Sequence, residues 1–89
     1  MSDAIVAEAR AAIDVADREL LALVNRRVEL VRALHEHKER TGIALRDERR
    51  EQEIVAGLQT ANGGPLSAAG VAELVRFLLD LTRRELHGA

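Results

Sequence analysis

Charged side chains occupy positions in the N-terminal segment where a helix normally presents aliphatic residues. Steps that alternate four and three residues define a first stripe: Val6, Arg10, Ile13, Asp17, Leu20, Val24, Arg27, Val31, Leu34 and Lys38. This spacing keeps its members on one side of an α-helix. Because basic side chains are rarely buried without a partner, Arg10, Arg27 and Lys38 call for an explanation.

Two arrangements explain these basic residues. In the first, the long side chains lie over the apolar surface and keep their charged ends in water. In the second, they face a cavity that binds an anion, since the planar Arg fork donates two parallel hydrogen bonds to a carboxylate. Three cations on one stripe favour the second arrangement. The chemistry it predicts is binding of a small dianion, with catalysis by positioning and electrostatics.

The spacing of the three basic residues predicts where the site lies. Arg27 and Lys38 are about 16 Å apart along a helix, so their side chains can bracket a small ligand. Arg10 is about 25 Å from Arg27 and cannot join that site from the same chain. In an antiparallel dimer it joins from the other chain, with the first helices crossing near Leu21. The sequence therefore predicts a site shared between two chains.

Polar residues also continue the apolar stripes of the later segments. The apolar stripe that contains Ile54, when followed towards the N-terminus, includes Asp47, Arg50 and Glu51. Asp47 equally suits a helix N-cap. Thr82 ends an aliphatic stripe in the last segment, and such a threonine more often bonds to the carbonyl one turn back.

The sequence lacks the residue arrangements that several other kinds of catalysis need. The chain has no Cys, and no Gly-rich phosphate loop is present. His35 and His37 point to different sides of a helix and cannot share a metal ion, and His87 is placed in a fraying tail. Ser2 and Ser67 have no base and orienting acid, so nucleophilic catalysis is not supported. No metal site is predicted.

The elements that position these side chains are predicted to be helices in one domain, residues 1–89. Hydrophobic residues make up 47% of the 89 residues and aromatic residues only 1%, and no strands separated by turns are evident. Residues 3–41 contain neither Gly nor Pro, which predicts one helix of nearly forty residues ending at Gly42. This helix is longer than the others can cover, and a second copy of the chain is the simplest covering surface.

Two shorter helices follow. The second begins after Asp47 and runs to about Ala61, where the turn at residues 62–65 ends it. Ser67 caps the third helix, which continues to about Leu86.

Charge and hydropathy exclude two classes of partner. The net charge is −2, with 13 basic and 15 acidic residues, so the basic excess of a nucleic-acid or membrane-surface protein is missing. No apolar run approaches the ~20 residues of a membrane span, and residues 1–4 do not resemble the start of a signal peptide. A cytoplasmic protein without nucleic-acid or membrane partners is predicted.

The charged positions together resemble a known family. The first-helix signature of the AroQ-type, all-α chorismate mutases is similar to Ile13-Asp14-x-x-Asp17-x-x-Leu20-Leu21-x-Leu23-x-Asn25-x-Arg27. The rest of the family pattern is matched by Lys38 and by Asp47-x-x-Arg50-Glu51-x-Glu53. The resemblance covers nearly the whole chain and rests on several charged positions at fixed spacing.

The resemblance implies a three-helix chain that forms an entwined antiparallel homodimer, with two sites that each borrow one Arg. The family reaction is the Claisen rearrangement of the dicarboxylate chorismate to prephenate in the shikimate pathway, without cofactor, metal ion or covalent intermediate. By position, Arg10 of the partner chain and Arg27 would clamp the carboxylates. Lys38 would contact a carboxylate and the ether oxygen.

The remaining family positions fall on the later helices. By the same resemblance, Asp47 and Arg50 would complete the polar wall, Glu51 would accept a hydrogen bond from the ring hydroxyl, and Thr82 would lie near the ring carboxylate. The family usually has Gln or Glu four residues later as a second donor to the ether oxygen, where this chain has Leu86. Either the alignment shifts by one residue or the site lacks that donor, which would cost on the order of 10²–10³ in rate.

Three other functions stay open. Isochorismate-pyruvate lyases and aminodeoxychorismate mutases share the scaffold and its basic clamp. A non-catalytic helical dimerisation module is the third. The tail at residues 81–88 is also similar to that of small actinobacterial-type members that are activated by the first enzyme of the shikimate pathway, which implies a possible partner enzyme.

Overall fold

The chain folds into three α-helices. The computed structural model describes residues 2–41 and 48–87, which contain α1 (Ser2–Thr41), α2 (Glu48–Ala61) and α3 (Ala68–His87). The prediction of an all-α chain with a very long first helix is confirmed, and α3 ends one residue beyond the predicted boundary. The predicted C-terminal Gly42 and N-cap Asp47 lie outside the described residues.

The connection between α2 and α3 is fixed by short-range hydrogen bonds. The Asn62 Oδ1 atom accepts a bond from the Gly64 backbone N–H at 3.1 Å, and its Nδ2 donates to the Leu66 carbonyl at 2.7 Å. The Ser67 hydroxyl accepts a bond from the Gly70 N–H at 2.9 Å, which confirms the predicted N-cap of α3. The turn therefore sets where α3 begins and how it returns along α2.

The small core is built around α3. This helix contacts both α1 and α2, whereas α1 and α2 do not contact each other closely within the described residues. Its buried residues are Val71, Ala72, Val75 and Thr82. Val75 is only 1% exposed. Because α3 holds the other two helices apart on one side of the molecule, a cavity forms between them.

Most of α1 lies beyond this core. The molecule extends 61 Å along its longest axis, and the residues of α1 from Asp3 to Leu23 are exposed. The exposed side chains include large aliphatic members of the first stripe, among them Ile13 and Leu20, each 56% exposed. One chain therefore leaves uncovered the N-terminal half of a stripe that is apolar enough to require burial.

The exposed apolar surface is not arranged as a membrane span. In the part of the chain that the structure describes, no helix combines the length and the apolar character needed to cross a bilayer.

Candidate functional site

A cavity of about 360 Å³ lies between the C-terminal half of α1, the start of α2 and the last turns of α3. Its volume falls within the range of small-molecule sites, roughly 300–1,000 Å³. The predicted site residues that line it are Arg27, Lys38, Arg50, Glu51 and Thr82. Residues from three helices and from widely separated parts of the sequence thus meet at one cavity.

Two predicted site residues are not part of this wall. Arg10 lies on the exposed half of α1 and does not line the cavity of its own chain, in keeping with its distance of about 25 Å from Arg27 along the helix. Asp47 lies outside the described residues. That Arg10 serves the site of a second chain stays a prediction.

Arg27 is fixed by Thr82, across the contact between α1 and α3. The Arg27 Nη1 atom donates a hydrogen bond to Thr82 Oγ1 at 3.1 Å. The Thr82 hydroxyl in turn donates to the Leu78 carbonyl at 2.7 Å, which confirms the bond to the carbonyl one turn back. Thr82 is 5% exposed. The buried Thr82 hydroxyl thus donates to a carbonyl of its own helix and also orients the Arg27 cation in the cavity.

Replacing Thr82 by valine is expected to lower the free energy of unfolding by about 1 kcal/mol, because Arg27 loses a partly buried acceptor. Urea denaturation would measure the loss. Thr82→Ser keeps the hydroxyl and should retain most of the stability. Thr60→Val makes the same change at an exposed position of α2 and should shift stability by less than about 0.5 kcal/mol. Equal effects at both positions would contradict a role for the Arg27 hydrogen bond.

Glu51 is held by a residue that sequence reasoning missed. The Nη2 atom of Arg83 lies 2.8 Å from both carboxylate oxygens of Glu51. Its Nη1 atom lies 2.9 Å from Asp80 Oδ1. Arg83 also lines the cavity. No local sequence signal marked this role, because Glu51 is 32 residues away in sequence and only the packing of α2 against α3 brings the two together.

The other two basic residues of the wall differ in exposure. Lys38, on α1, is half-buried. Arg50 lies at the edge of the cavity with a side chain that is 66% exposed, and its Nη1 atom is 3.8 Å from Glu53 Oε2. An ion pair this long and exposed contributes little to stability. Arg50 therefore adds a positive charge to the cavity wall, and its pairing with Glu53 adds little to stability.

A pair of imidazole rings forms part of the cavity wall. The rings of His35 and His87 are stacked, with centroids 6.1 Å apart and an interplanar angle of 27°, and both residues line the cavity. His87, which the sequence analysis placed in a fraying tail, is the last residue of α3. Leu86 does not line the cavity, whereas Thr82, Arg83 and His87 of the same tail do.

The cavity combines an excess of positive charge with apolar walls. Its charged lining residues are Arg27, Lys38, Arg50, Arg83 and Glu51, four cations and one anion, for a formal charge of +3 with the histidines neutral. Its aliphatic lining residues are Val31, Leu34, Ile54 and Leu79. Apolar walls lower the local dielectric and strengthen charge interactions. The site is thus suited to a small ligand with two negative charges.

Comparison with known protein families gives a match over most of the chain. The family model described as chorismate mutase type II matches residues 9–86, a span that contains all seven predicted site residues. Among curated proteins and among solved structures, none matches the chain significantly. Since the family model covers most of the sequence, the chain belongs to the chorismate mutase type II family.

Proposed function

We propose that this chain is a chorismate mutase that acts as a cytoplasmic homodimer and converts chorismate to prephenate in sites shared between the two subunits. The observation that carries the proposal is the cavity in which Arg27 and Lys38 of α1 face Arg50 and Glu51 of α2. Its formal charge of +3 before any partner residue is added matches a dicarboxylate. The family supports the class of reaction.

The reaction is an intramolecular rearrangement, so the residues need only bind and polarise the substrate. The ether C–O bond breaks while a new C–C bond forms, and no other reactant enters. Because cleavage runs ahead of bond formation, negative charge develops on the ether oxygen. In this proposal the Lys38 ammonium lies beside that oxygen and stabilises the transition state more than the ground state.

Substrate conformation is the second contribution. Chorismate must bring its enolpyruvyl side chain over the ring before the new bond can form. Arg27, held in place by Thr82 at 3.1 Å, would bind one carboxylate, and Arg10 of the second chain would bind the other. A clamp of this kind selects the folded conformer and removes part of the entropic barrier. Glu51 would accept a hydrogen bond from the ring hydroxyl.

The dimer in this proposal is supported by what one chain leaves incomplete. The N-terminal half of the first stripe is exposed, and a second α1 running antiparallel would cover it with the same residues, as a two-fold interface requires. The same arrangement carries Arg10 towards the other subunit's cavity. Burial of the stripe and completion of the site are then one event.

The purified protein is expected to convert chorismate to prephenate and to leave isochorismate unchanged. Chorismate loss followed by absorbance, with products identified by mass spectrometry, would measure this. Release of pyruvate and salicylate from isochorismate would instead identify a lyase, and turnover of aminodeoxychorismate alone would identify the third enzyme of this scaffold. No turnover of any of the three, with or without cell extract, would contradict an enzymatic role.

Adding cell extract to this assay tests the prediction that a partner enzyme activates the protein. Because Leu86 supplies no donor and does not line the cavity, turnover by the homodimer alone is expected to be slow. A rise of about tenfold or more on adding extract, lost when the extract is passed through a small-pore filter, would support activation by a partner protein. An unchanged rate would leave the homodimer as the complete enzyme.

A further inference from the structure

Arg83 connects two carboxylates, one on each of two helices. Its Nη2 atom is 2.8 Å from both oxygens of Glu51 on α2, and its Nη1 atom is 2.9 Å from Asp80 on its own helix. The side chains of Arg83 and Glu51 are 37% and 26% exposed. A pair this close and partly shielded from water retains more of its electrostatic interaction than an exposed surface pair.

This pairing changes what Glu51 presents to a ligand. Glu51 is the one carboxylate among the residues that line the cavity in the described part of the chain. Without a neighbouring cation it would attract a ligand ammonium more strongly than a hydroxyl. The Arg83 guanidinium, 2.8 Å from Glu51, offsets part of the carboxylate charge and shares its own charge with Asp80. A carboxylate accepts up to about four hydrogen bonds, so contact with one nitrogen does not by itself prevent it from accepting a ligand hydroxyl.

We infer that Arg83 is a specificity-determining residue: by offsetting the charge of Glu51, it makes the cavity favour a substrate with an uncharged hydroxyl over one with an ammonium at the same ring position. The inference rests on the proposed function, in which Glu51 faces that ring substituent. Arg83 acts through Glu51 and is a positioning residue rather than a catalytic one. The cavity then separates chorismate from its amino analogue by charge, although the two have nearly the same shape.

The test is the discrimination between these two compounds. Discrimination is defined as the inhibition constant of aminodeoxychorismate divided by the KM for chorismate, at neutral pH. Arg83→Gln and the apolar Arg83→Met are expected to lower it about tenfold, because the Glu51 carboxylate attracts the ammonium more strongly once this adjacent cation is removed. Arg83→Lys keeps the cation and should stay within about threefold of the original protein. Arg84→Gln removes the same charge from the exposed neighbouring position and should leave discrimination unchanged.

A change in the opposite direction gives an independent check. Glu51→Gln removes the carboxylate and leaves Arg83 paired with Asp80 alone, so the amino compound should bind relatively worse, by about threefold or more. In a protein that already carries Glu51→Gln, adding Arg83→Gln should not lower discrimination below that of the original protein. Because the double variant removes both charges of the pair, it keeps the inference testable if Arg83→Gln alone fails to fold.

Two outcomes would overturn the inference while leaving the proposed function intact. One is a uniform loss of chorismate turnover in Arg83→Gln with unchanged discrimination, which is what a purely structural tie between α2 and α3 would give. The other is an equal effect of Arg84→Gln. If the protein does not turn over chorismate at all, calorimetric titration with both compounds still measures discrimination, so failure of the proposed function is seen separately.

Discussion

Substituting alanine for Lys38 or Arg27 is expected to lower chorismate turnover by about 10²–10³-fold or more, with the helices still folded. The two side chains differ in the step at which they act. Lys38 would meet charge that appears on the ether oxygen only in the transition state, so its loss should lower kcat with little change in KM. Arg27 would bind a carboxylate that is charged throughout, so its loss should also raise KM.

The design needs controls that share the helix and the charge. Arg26→Ala changes the residue next to Arg27, which is exposed and does not line the cavity, and kinetic constants within about twofold of the original are expected. Arg27→Lys keeps the charge but not the fork that donates two parallel hydrogen bonds, so it should restore only part of the activity. Circular dichroism and urea denaturation would show that each variant is folded.

The alternative of a non-catalytic helical module makes the opposite prediction. In such a module Arg27 and Lys38 would be stabilising or solvent-exposed cations, and their replacement would alter stability alone. If the original protein shows no turnover and these variants change stability alone, the module is favoured. A loss of turnover with retained stability would favour the cavity as the working site.

The parts of the fold that the sequence predicted depend on local signals. Residues 3–41 lack Gly and Pro, so the long helix follows from propensity alone. Ser67 and the Asn62-Gly63-Gly64-Pro65 turn mark the start of α3 because capping and turn chemistry act over three or four residues. Arg27 and Lys38 were found by a similar argument, since a charge on an apolar stripe is costly wherever the helix packs. The site roles of Arg50, Glu51 and Thr82 came from the family resemblance.

The parts that were missed depend on contacts between helices. The Arg83 and Glu51 side chains meet only because α3 turns back along α2, and neither residue's surroundings in sequence specify that register. The same is true of His87, whose ring reaches His35 because α3 continues beside α1 to its last residue. A charge pattern indicates that a residue needs a partner, but it does not identify the partner among several of suitable charge.

A mixture of inactive chains is expected to regain activity if the sites are shared. Chains carrying Arg10→Ala and chains carrying Arg27→Ala should each be nearly inactive alone. In a mixed dimer, the Arg10→Ala chain keeps its own Arg27 and receives an intact Arg10 from the other chain, so one of two sites is complete. Because random exchange makes about half of the dimers mixed, about a quarter of the original activity should return.

The matched control mixes two defects that lie in the same cavity. Arg27 and Lys38 are both on α1 and both line the cavity of one chain, so each site of an Arg27→Ala and Lys38→Ala mixed dimer retains one defect. No recovery is expected, even though the chains exchange in the same way. Recovery in the first mixture and not in the second would place Arg10 in the partner's site. Equal behaviour of the two mixtures, with exchange verified by mass spectrometry, would contradict the shared site, because nothing but the chain of origin of Arg10 separates them.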